Sequence, residues 1–148
     1  MKPICRRVKA SAIDYMVDAG PLVALMNKSD QWHGWAAPTI RALGETLHTT
    51  EAMLAEVCHH LRLHRAAIGG LLAAIETGVL CMHPVFPVRV SRVRELMGKY
   101  GRMDLADATL VVLSEQYPRA KLITTDETDF KVYRRRDGSP VPAIMPQA

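Results

Sequence analysis

Two acids, Asp104 and Asp107, stand directly ahead of an uncharged run from Ala108 to Leu113. Asp104 is a typical helix N-cap, because its side chain can accept hydrogen bonds from free backbone N–H groups. Asp107 falls in the first turn of the same helix, where the helix dipole favours negative charge. Capping alone explains the pair unless further acids reach the same point in space. Clustered carboxylates repel one another, and such a cluster would favour the binding of a cation.

The periodicity of apolar residues predicts strands that alternate with helices along the chain. The predicted strands cover residues 12–18, 46–50, 79–83, 120–126 and, as a possible edge strand, 141–146. The predicted helices cover residues 22–27, 50–64, 65–78, 89–101 and 104–117, with a short helix or turn over 127–136. This alternation is typical of an α/β fold, in which helices cover both faces of a largely parallel sheet.

Four acids from remote parts of the chain lie where such a sheet gathers its functional groups. Asp18 and Asp126 each end a predicted strand, and open α/β sheets bind ligands beyond the carboxyl ends of their strands. Glu56 and Asp107 lie near the starts of helices that follow strands or loops at that same edge. The predicted fold therefore brings the four carboxylates together.

Converging carboxylates oppose one another's ionisation unless a cation lies among them. Oxygen ligands suit hard ions such as Mg²⁺ or Mn²⁺ rather than zinc, and the three cysteines lack the CxxC spacing of a cysteine zinc site. One or two such ions can polarise a phosphodiester, activate water and stabilise the leaving oxygen. The acids thus predict metal-assisted hydrolysis.

Composition limits the class of protein. The 148 residues suffice for one domain, and the net charge of +4 permits an anionic partner such as nucleic acid. No apolar stretch approaches the ~20 residues that a membrane-spanning helix needs. We expect a single domain over residues 1–148, with residues 1–11 as a basic arm, in the cytoplasm and without membrane insertion.

Four sequence motifs, taken in order and spacing, resemble those of PIN-domain ribonucleases, specifically the VapC-type toxins of bacterial toxin–antitoxin systems. The resemblance covers about residues 14 to 145, through the segments YMVDAGPLVAL, TTEAMLAEV, MDLADATLVVLSE and LITTDETDF. It implies a PIN-like three-layer α/β/α sandwich with a mainly parallel sheet of about five strands. It also implies an endoribonuclease that depends on Mg²⁺ or Mn²⁺.

The resemblance further implies roles for particular residues and partners. Asp18 and Asp107 would be the principal metal ligands, and Glu56 and Asp126 would complete the catalytic acidic pocket directly or through water. Asp104 is a possible further ligand, although capping is its favoured role. A VapB-like antitoxin would inhibit the enzyme, homodimerisation is common in the family, and structured RNA such as tRNA or rRNA would be the substrate.

The sequence departs from the family pattern after its first aspartate. The family often has a Thr-Ser pair there, whereas this chain has Ala19-Gly20, so that a hydroxyl near Asp18 is missing. This difference bears on metal affinity or on rate rather than on the fold. We expect that Thr124, Thr125 or Thr109 supplies a substitute.

Two alternative functions remain open at this point. A PIN-like domain without catalysis could serve only to bind a partner, although retention of four clustered acids would then cost stability for no purpose. A receiver-like signalling module is the other alternative. Such a module needs paired acids after its first strand and an aspartate after its third, and residues 84–87 contain no acid.

Histidines near the predicted site allow further interpretations. Glu56, His60 and His64 are spaced for one helix face, but no HExxH motif is present, and we interpret them as part of a mixed basic surface. Asp30 and His33 either face the predicted groove or close a helix, and the sequence does not decide between these two placements.

Overall fold

A parallel sheet forms the centre of the computed structural model, which describes residues 13–147. Its strands are β1 (Tyr15–Val17), β2 (Leu47–Thr50), β3 (Leu80–His83), β4 (Lys121–Ile123) and β5 (Ala143–Ile144). They lie in the order β3-β2-β1-β4-β5, and every neighbouring pair is parallel. The predicted five-stranded parallel sheet is confirmed.

Seven helices surround the sheet within residues 13–147. They are α1 (Ala19–Met26), α2 (His33–Leu43), α3 (Glu51–His60), α4 (Arg65–Glu76), α5 (Val90–Lys99), α6 (Leu105–Gln116) and α7 (Asp129–Val132). The arrangement is that of a PIN-like α/β/α sandwich, as predicted. None of these helices combines the length and the apolar character needed to cross a membrane.

Helix α2 was not predicted from the sequence. It contains Gly34 and Pro38, two residues that weaken a helix locally, and only Ala36 and Ala37 are fully buried in it. It ends at Gly44, whose positive φ of 61° suits glycine. Packing against α1 stabilises this helix, and its local sequence therefore gave little signal.

Helix α3 is shorter than predicted, because the chain turns after His60. The Leu61 N–H donates to the carbonyl of Val57, the His64 N–H donates to the carbonyl of Leu61, and the fully buried Leu61 anchors the turn. His64 precedes α4 and does not continue α3. The predicted helix over residues 50–64 is therefore wrong beyond His60, and no continuous face joins Glu56 to His64.

Helix α6 is the most enclosed helix of the described residues. Its buried positions are Ala106, Ala108, Thr109, Leu110, Val111, Val112, Leu113 and Ser114. Such a helix is apolar around most of its circumference because other elements cover it, and α6 packs against α3, α5 and β2. Its buried body fixes the position of its acidic first turn.

The strand order creates a crevice at one point of the sheet. The chain runs from β1 outward through β2 to β3, and then returns to the other side of β1 for β4 and β5. The connections leaving β1 and β4 therefore diverge, and ligands bind at such a switch point in open α/β sheets. Asp18 follows β1 directly, and Asp126 lies three residues after the end of β4.

Candidate active site

Asp18 connects the end of β1 to the start of α1. Its backbone N–H donates to the carbonyl of Ile123 at 3.0 Å, which ties it to β4. Its Oδ1 accepts from the Ala19 N–H at 2.7 Å, and its Oδ2 accepts from the Thr124 hydroxyl at 2.7 Å. Burial raises the pKa of Asp18 to about 6, and the nearby carboxylate of Glu56 adds to the increase.

Asp126 is fixed through the same threonine. The Thr124 hydroxyl oxygen accepts from the Asp126 N–H at 3.0 Å while it donates to Asp18. The Asp126 Oδ1 accepts from the backbone N–H groups of Thr128 at 3.2 Å and Asp129 at 2.9 Å. Asp126 therefore satisfies free N–H groups at the start of the short helix α7, and it also lines the acidic pocket described below.

Asp107 lies in the first turn of α6, as predicted. Its Oδ2 accepts a hydrogen bond from the Tyr133 hydroxyl at 3.1 Å. Burial raises the pKa of Asp107 to about 8, and the charges of Asp104 and Asp18 raise it further, while the Tyr133 hydrogen bond opposes the increase. Asp104 is the N-cap of α6, because its Oδ1 accepts from the Asp107 N–H at 2.8 Å.

Glu56 reaches the site from the middle of α3. The Thr50 hydroxyl, which caps this helix through the Met53 N–H, also forms a 2.8 Å hydrogen bond with the Thr109 hydroxyl in α6. The two helix starts are thereby held together. Burial raises the pKa of Glu56, and the charge of Asp104 adds to this effect. The His60 Nε2 lies 3.9 Å from a Glu56 oxygen.

These acids share one cavity of about 360 Å³, which we call the acidic pocket. Its acidic residues are Asp18, Asp30, Glu56, Asp104, Asp107, Asp126 and Asp129. Arg102 and His60 are its basic residues, with side chains 78% and 54% exposed, so they neutralise the pocket weakly. The structure therefore brings together all four predicted site acids and Asp104, with negative charge in excess.

Several lining residues were left undecided or missed by the sequence analysis. Asp30 and Trp32 line the pocket, and the Asp30 Oδ1 accepts from the Trp32 N–H at 2.8 Å. His33 instead contacts the carbonyl of Ala24 through its Nδ1 at 2.7 Å. Arg102 forms a 3.7 Å ion pair with Asp129. The sequence analysis assigned neither Asp129 nor Arg102 to the site.

Tyr133 is the most informative residue that sequence reasoning missed. It is buried, and its ring packs edge-on against those of Phe130 and Tyr100, with centroids 5.3 Å away in each case. This packing fixes the hydroxyl that donates to Asp107. The only sequence signal was the spacing of Phe130 and Tyr133, which places two aromatic rings one helical turn apart.

The three proposed substitute hydroxyls have different surroundings. The Thr124 hydroxyl donates to Asp18 directly. The Thr109 hydroxyl donates to the carbonyl of Ala106 and meets Thr50, so it contacts neither Asp18 nor Asp107. Thr125 lines the acidic pocket. Thr124 and Thr125 are therefore the two candidates that the structure keeps near the acids.

The donor set of the acidic pocket suits a hard divalent cation. Within residues 13–147, no three His, Cys, Asp or Glu side chains are placed to hold one metal ion together. Mg²⁺ needs no such cage, since it usually retains several waters and binds through one or two carboxylates. Burial, with a smaller contribution from neighbouring carboxylates, raises the pKa of both Asp18 and Asp107, and a bound cation would favour their charged forms. The residues fit a hydrated ion rather than an enclosed one.

The family model of the PIN domain matches residues 15–136. The chain therefore belongs to the PIN domain family, whose members are generally nucleases and typically depend on metal ions. A search among curated proteins finds no match for this chain. Membership of this family, together with the acidic pocket, does not favour the receiver-like alternative.

Proposed function

We propose that this protein is a metal-dependent endoribonuclease of the VapC type, which hydrolyses RNA phosphodiester bonds at the acidic pocket. One observation carries the proposal. Asp18, Glu56, Asp107 and Asp126, from remote parts of the chain, line one cavity at the switch point of the sheet. A fold gains nothing from such mutual repulsion, and sites that perturb pKa values in a cleft are commonly functional.

Asp18 and Asp107 would hold Mg²⁺ or Mn²⁺, and Glu56 and Asp126 would contribute directly or through water. When bound, such an ion supplies positive charge that offsets the charge of the phosphodiester and its leaving oxygen. Asp18 is held by two hydrogen bonds and Asp107 by one from Tyr133, so both carboxylates are oriented before anything binds. Asp104 is engaged as a cap, and we assign it no further role.

The other residues of the pocket would act on water and on the proton. Hydrolysis adds water across a P–O bond, so one proton must leave the attacking water. The Glu56 carboxylate is a suitable acceptor of this proton. Burial raises its pKa toward neutral pH, and its side chain is still 33% exposed to solvent. Arg102, an exposed cation of the lining, would attract the RNA backbone.

The test is cleavage of total cellular RNA by the purified protein with Mg²⁺, with Mn²⁺ or with a chelator. We expect discrete cuts that need the metal ion and that disappear in the Asp107→Asn variant. Asp14→Asn is the matched control, because Asp14 is exposed and does not line the acidic pocket. Equal cleavage by wild type and folded Asp107→Asn, or none by the wild type on any RNA, would contradict the proposal.

We further propose that a VapB-like antitoxin restrains the enzyme in the cytoplasm, that the protein forms a homodimer, and that tRNA or rRNA is its substrate. The excess of carboxylates supports the first point, because an arginine of a partner could form charge-assisted hydrogen bonds with them. Expression with its neighbouring genes should yield a second, copurifying polypeptide that suppresses cleavage. Isolation of the protein without a second polypeptide, and with full cleavage activity, would contradict the proposed antitoxin.

A further inference from the structure

The hydroxyl of Thr125 is the one neutral hydroxyl among the described residues that line the acidic pocket. Within residues 13–147 it has no hydrogen-bond partner in the protein. The neighbouring Thr124 differs, because its hydroxyl is engaged by both Asp18 and the Asp126 backbone. Thr125 therefore presents an uncommitted donor to whatever enters the pocket.

Gly20 leaves open the space that this hydroxyl occupies. A Cβ atom added to Gly20 would overlap the Thr125 Oγ1, whereas the Thr125 Cβ would lie 3.6 Å away, at ordinary contact distance. The conflict thus involves the hydroxyl and leaves the backbone unaffected. Any side chain at position 20 would turn the Thr125 hydroxyl out of its place next to the first turn of α1, the helix that Asp18 caps.

The acidic pocket offers many acceptors and few donors. A carboxylate and a phosphate oxygen are both acceptors, so they cannot hydrogen-bond each other when ionised. The side chains of the basic lining residues, Arg102 and His60, are more than half exposed to solvent. Besides the indole N–H of Trp32, the short Thr125 hydroxyl is a neutral side-chain donor of the lining that can meet a phosphate oxygen.

We infer that the Thr125 hydroxyl donates a hydrogen bond to a phosphate oxygen of the RNA bound in the acidic pocket, and that Gly20 permits this placement. The inference rests on the proposed ribonuclease function and adds to it a residue that contacts the substrate. It also explains how a chain with Ala19-Gly20 after its first aspartate retains a hydroxyl at this position.

The first test compares metal-dependent cleavage of one RNA by Thr125→Val and Thr125→Ser. Valine keeps the shape and removes the donor, and we expect kcat/KM to fall by about 10- to 100-fold. Serine keeps the donor and should stay within about threefold of the wild type. Thr128→Val is the matched control, since Thr128 is exposed and its side chain makes no capping hydrogen bond. Melting temperatures identify any variant that has lost its fold.

The second test transfers the hydroxyl from position 125 to position 20, which faces it. Thr125→Ala should cleave RNA slowly. Adding Gly20→Ser should restore much of the rate, because the serine side chain then fills the space left by the removed Thr125 hydroxyl. Gly20→Ala alone should lower the rate, since its methyl group displaces the hydroxyl. A hydroxyl that served only the fold would show no such recovery.

The outcomes separate this inference from the function on which it rests. If Thr125→Val cleaves within about twofold of the wild type, or if the double variant is no faster than Thr125→Ala, the inference is wrong and the ribonuclease proposal stands. If the wild type shows no metal-dependent cleavage under any condition, the proposed function is wrong and the inference falls with it.

Discussion

Two cavities of this protein are lined by charged side chains, but they differ in how far those charges are paired with opposite ones. The acidic pocket gathers seven carboxylic side chains with only exposed cations near them. The second cavity, of about 300 Å³, we call the arginine cleft; it is lined by Arg89, Arg92, Glu115, Pro118, Arg135, Arg136 and Asp137. The arginine cleft contains both arginines and acids, whereas the acidic pocket is lined mainly by carboxylic side chains.

Pairing in the arginine cleft is extensive. The guanidinium of Arg92 donates two 2.9 Å hydrogen bonds to Glu115 and a third of 2.9 Å to Glu95. Arg135 donates to the Ser139 hydroxyl at 2.9 Å and to the Pro118 carbonyl at 2.8 Å. The Glu115 hydrogen bonds raise the pKa of Arg92 further above its usual range.

The contrast teaches how to interpret a perturbed pKa. In the arginine cleft the shift favours the charged form, as expected of a structural ion pair. In the acidic pocket the shifts of Asp18 and Asp107 disfavour the charged form, so the folded protein retains an unfavourable arrangement. Either a bound proton or a ligand of positive charge relieves that arrangement, so the acidic pocket favours a cation while the arginine cleft stabilises the fold.

The largest expected effect comes from breaking the arginine cleft. Glu115→Gln removes the carboxylate from an ion pair whose side chains are only 16% and 14% exposed. We expect the free energy of unfolding to fall by about 2–3 kcal/mol, measured by urea denaturation, because a nearly buried guanidinium loses the carboxylate that accepts two of its hydrogen bonds. RNA cleavage by the folded fraction should not change.

Glu95→Gln is the control for that prediction. Glu95 also bonds Arg92, but its side chain is 58% exposed, so its loss should cost at most about 0.5 kcal/mol. Equal costs for the two variants would show that the cleft does not stabilise the fold through Glu115.

The next prediction concerns the acidic pocket, where a substitution should increase the free energy of unfolding. In the presence of a chelator, Asp107→Asn should stabilise the protein by about 1–2 kcal/mol near pH 8, because it removes one of the repelling charges. The thermal midpoint should rise by about 2–8 °C in a protein of this size. Destabilisation by this variant would mean that the carboxylate serves the fold.

The pH dependence of the same pair of proteins sharpens the comparison. Burial and neighbouring charges raise the pKa of Asp107 from 3.8 to about 8 in the folded state. Its proton therefore contributes stability that is complete below the unfolded pKa and is lost as pH rises through the folded pKa. Without metal, the wild type should lose stability between about pH 6 and pH 8, and Asp107→Asn should not.

A smaller effect is expected from Tyr133→Phe. The variant keeps the packed ring but removes the donor to Asp107, so kcat should fall by about 5- to 10-fold with little change in KM. Because that hydrogen bond lowers the pKa of Asp107, the pH–rate profile should also shift toward higher pH.

Tyr100→Phe is the matched variant for Tyr133→Phe, since the Tyr100 hydroxyl accepts from the Arg134 N–H and does not contact Asp107. It should reduce stability without shifting the pH–rate profile. A profile that shifts equally in both variants would contradict a positioning role for Tyr133.

The smallest expected effect tests a partly buried pair of histidines that carries no charge. The His48 Nδ1 and the His83 Nε2 lie 2.8 Å apart, and burial, with His83 next to it, lowers the pKa of His48 to about 4. Burial also lowers the pKa of His83. The neutral pair therefore contributes stability that is lost as pH falls below the ordinary histidine pKa toward the folded value.

The measurement is the difference in unfolding free energy between wild type and His48→Gln. This difference should shrink by about 1 kcal/mol between pH 7 and pH 5, because His48 binds a proton in the unfolded wild type but stays neutral in the folded form. The exposed His64 serves as the control through His64→Gln, with no such trend. A difference independent of pH would contradict a neutral buried pair.

Local patterns in the sequence predicted much of the fold and pointed to four of the acids that line the acidic pocket. Asp104 was recognisable as a cap because N-capping joins residues only three apart. Asp18 and Asp126 were recognisable because parallel strands gather their carboxyl ends at one edge. These signals come from the ends of single elements and from a general rule for parallel sheets, so they required no knowledge of this protein's side-chain contacts.

Tertiary structure alone decided the surroundings of those acids. Tyr133 reaches Asp107 across 26 residues, and Thr125 meets Gly20 only because β4 lies next to β1. Helix α2 and the buried pair of His48 with His83 likewise depend on neighbours that are remote in sequence. Side-chain contacts and pKa values depend on the order of the strands and on the burial that follows from it. A local sequence pattern predicts neither the strand order nor the burial.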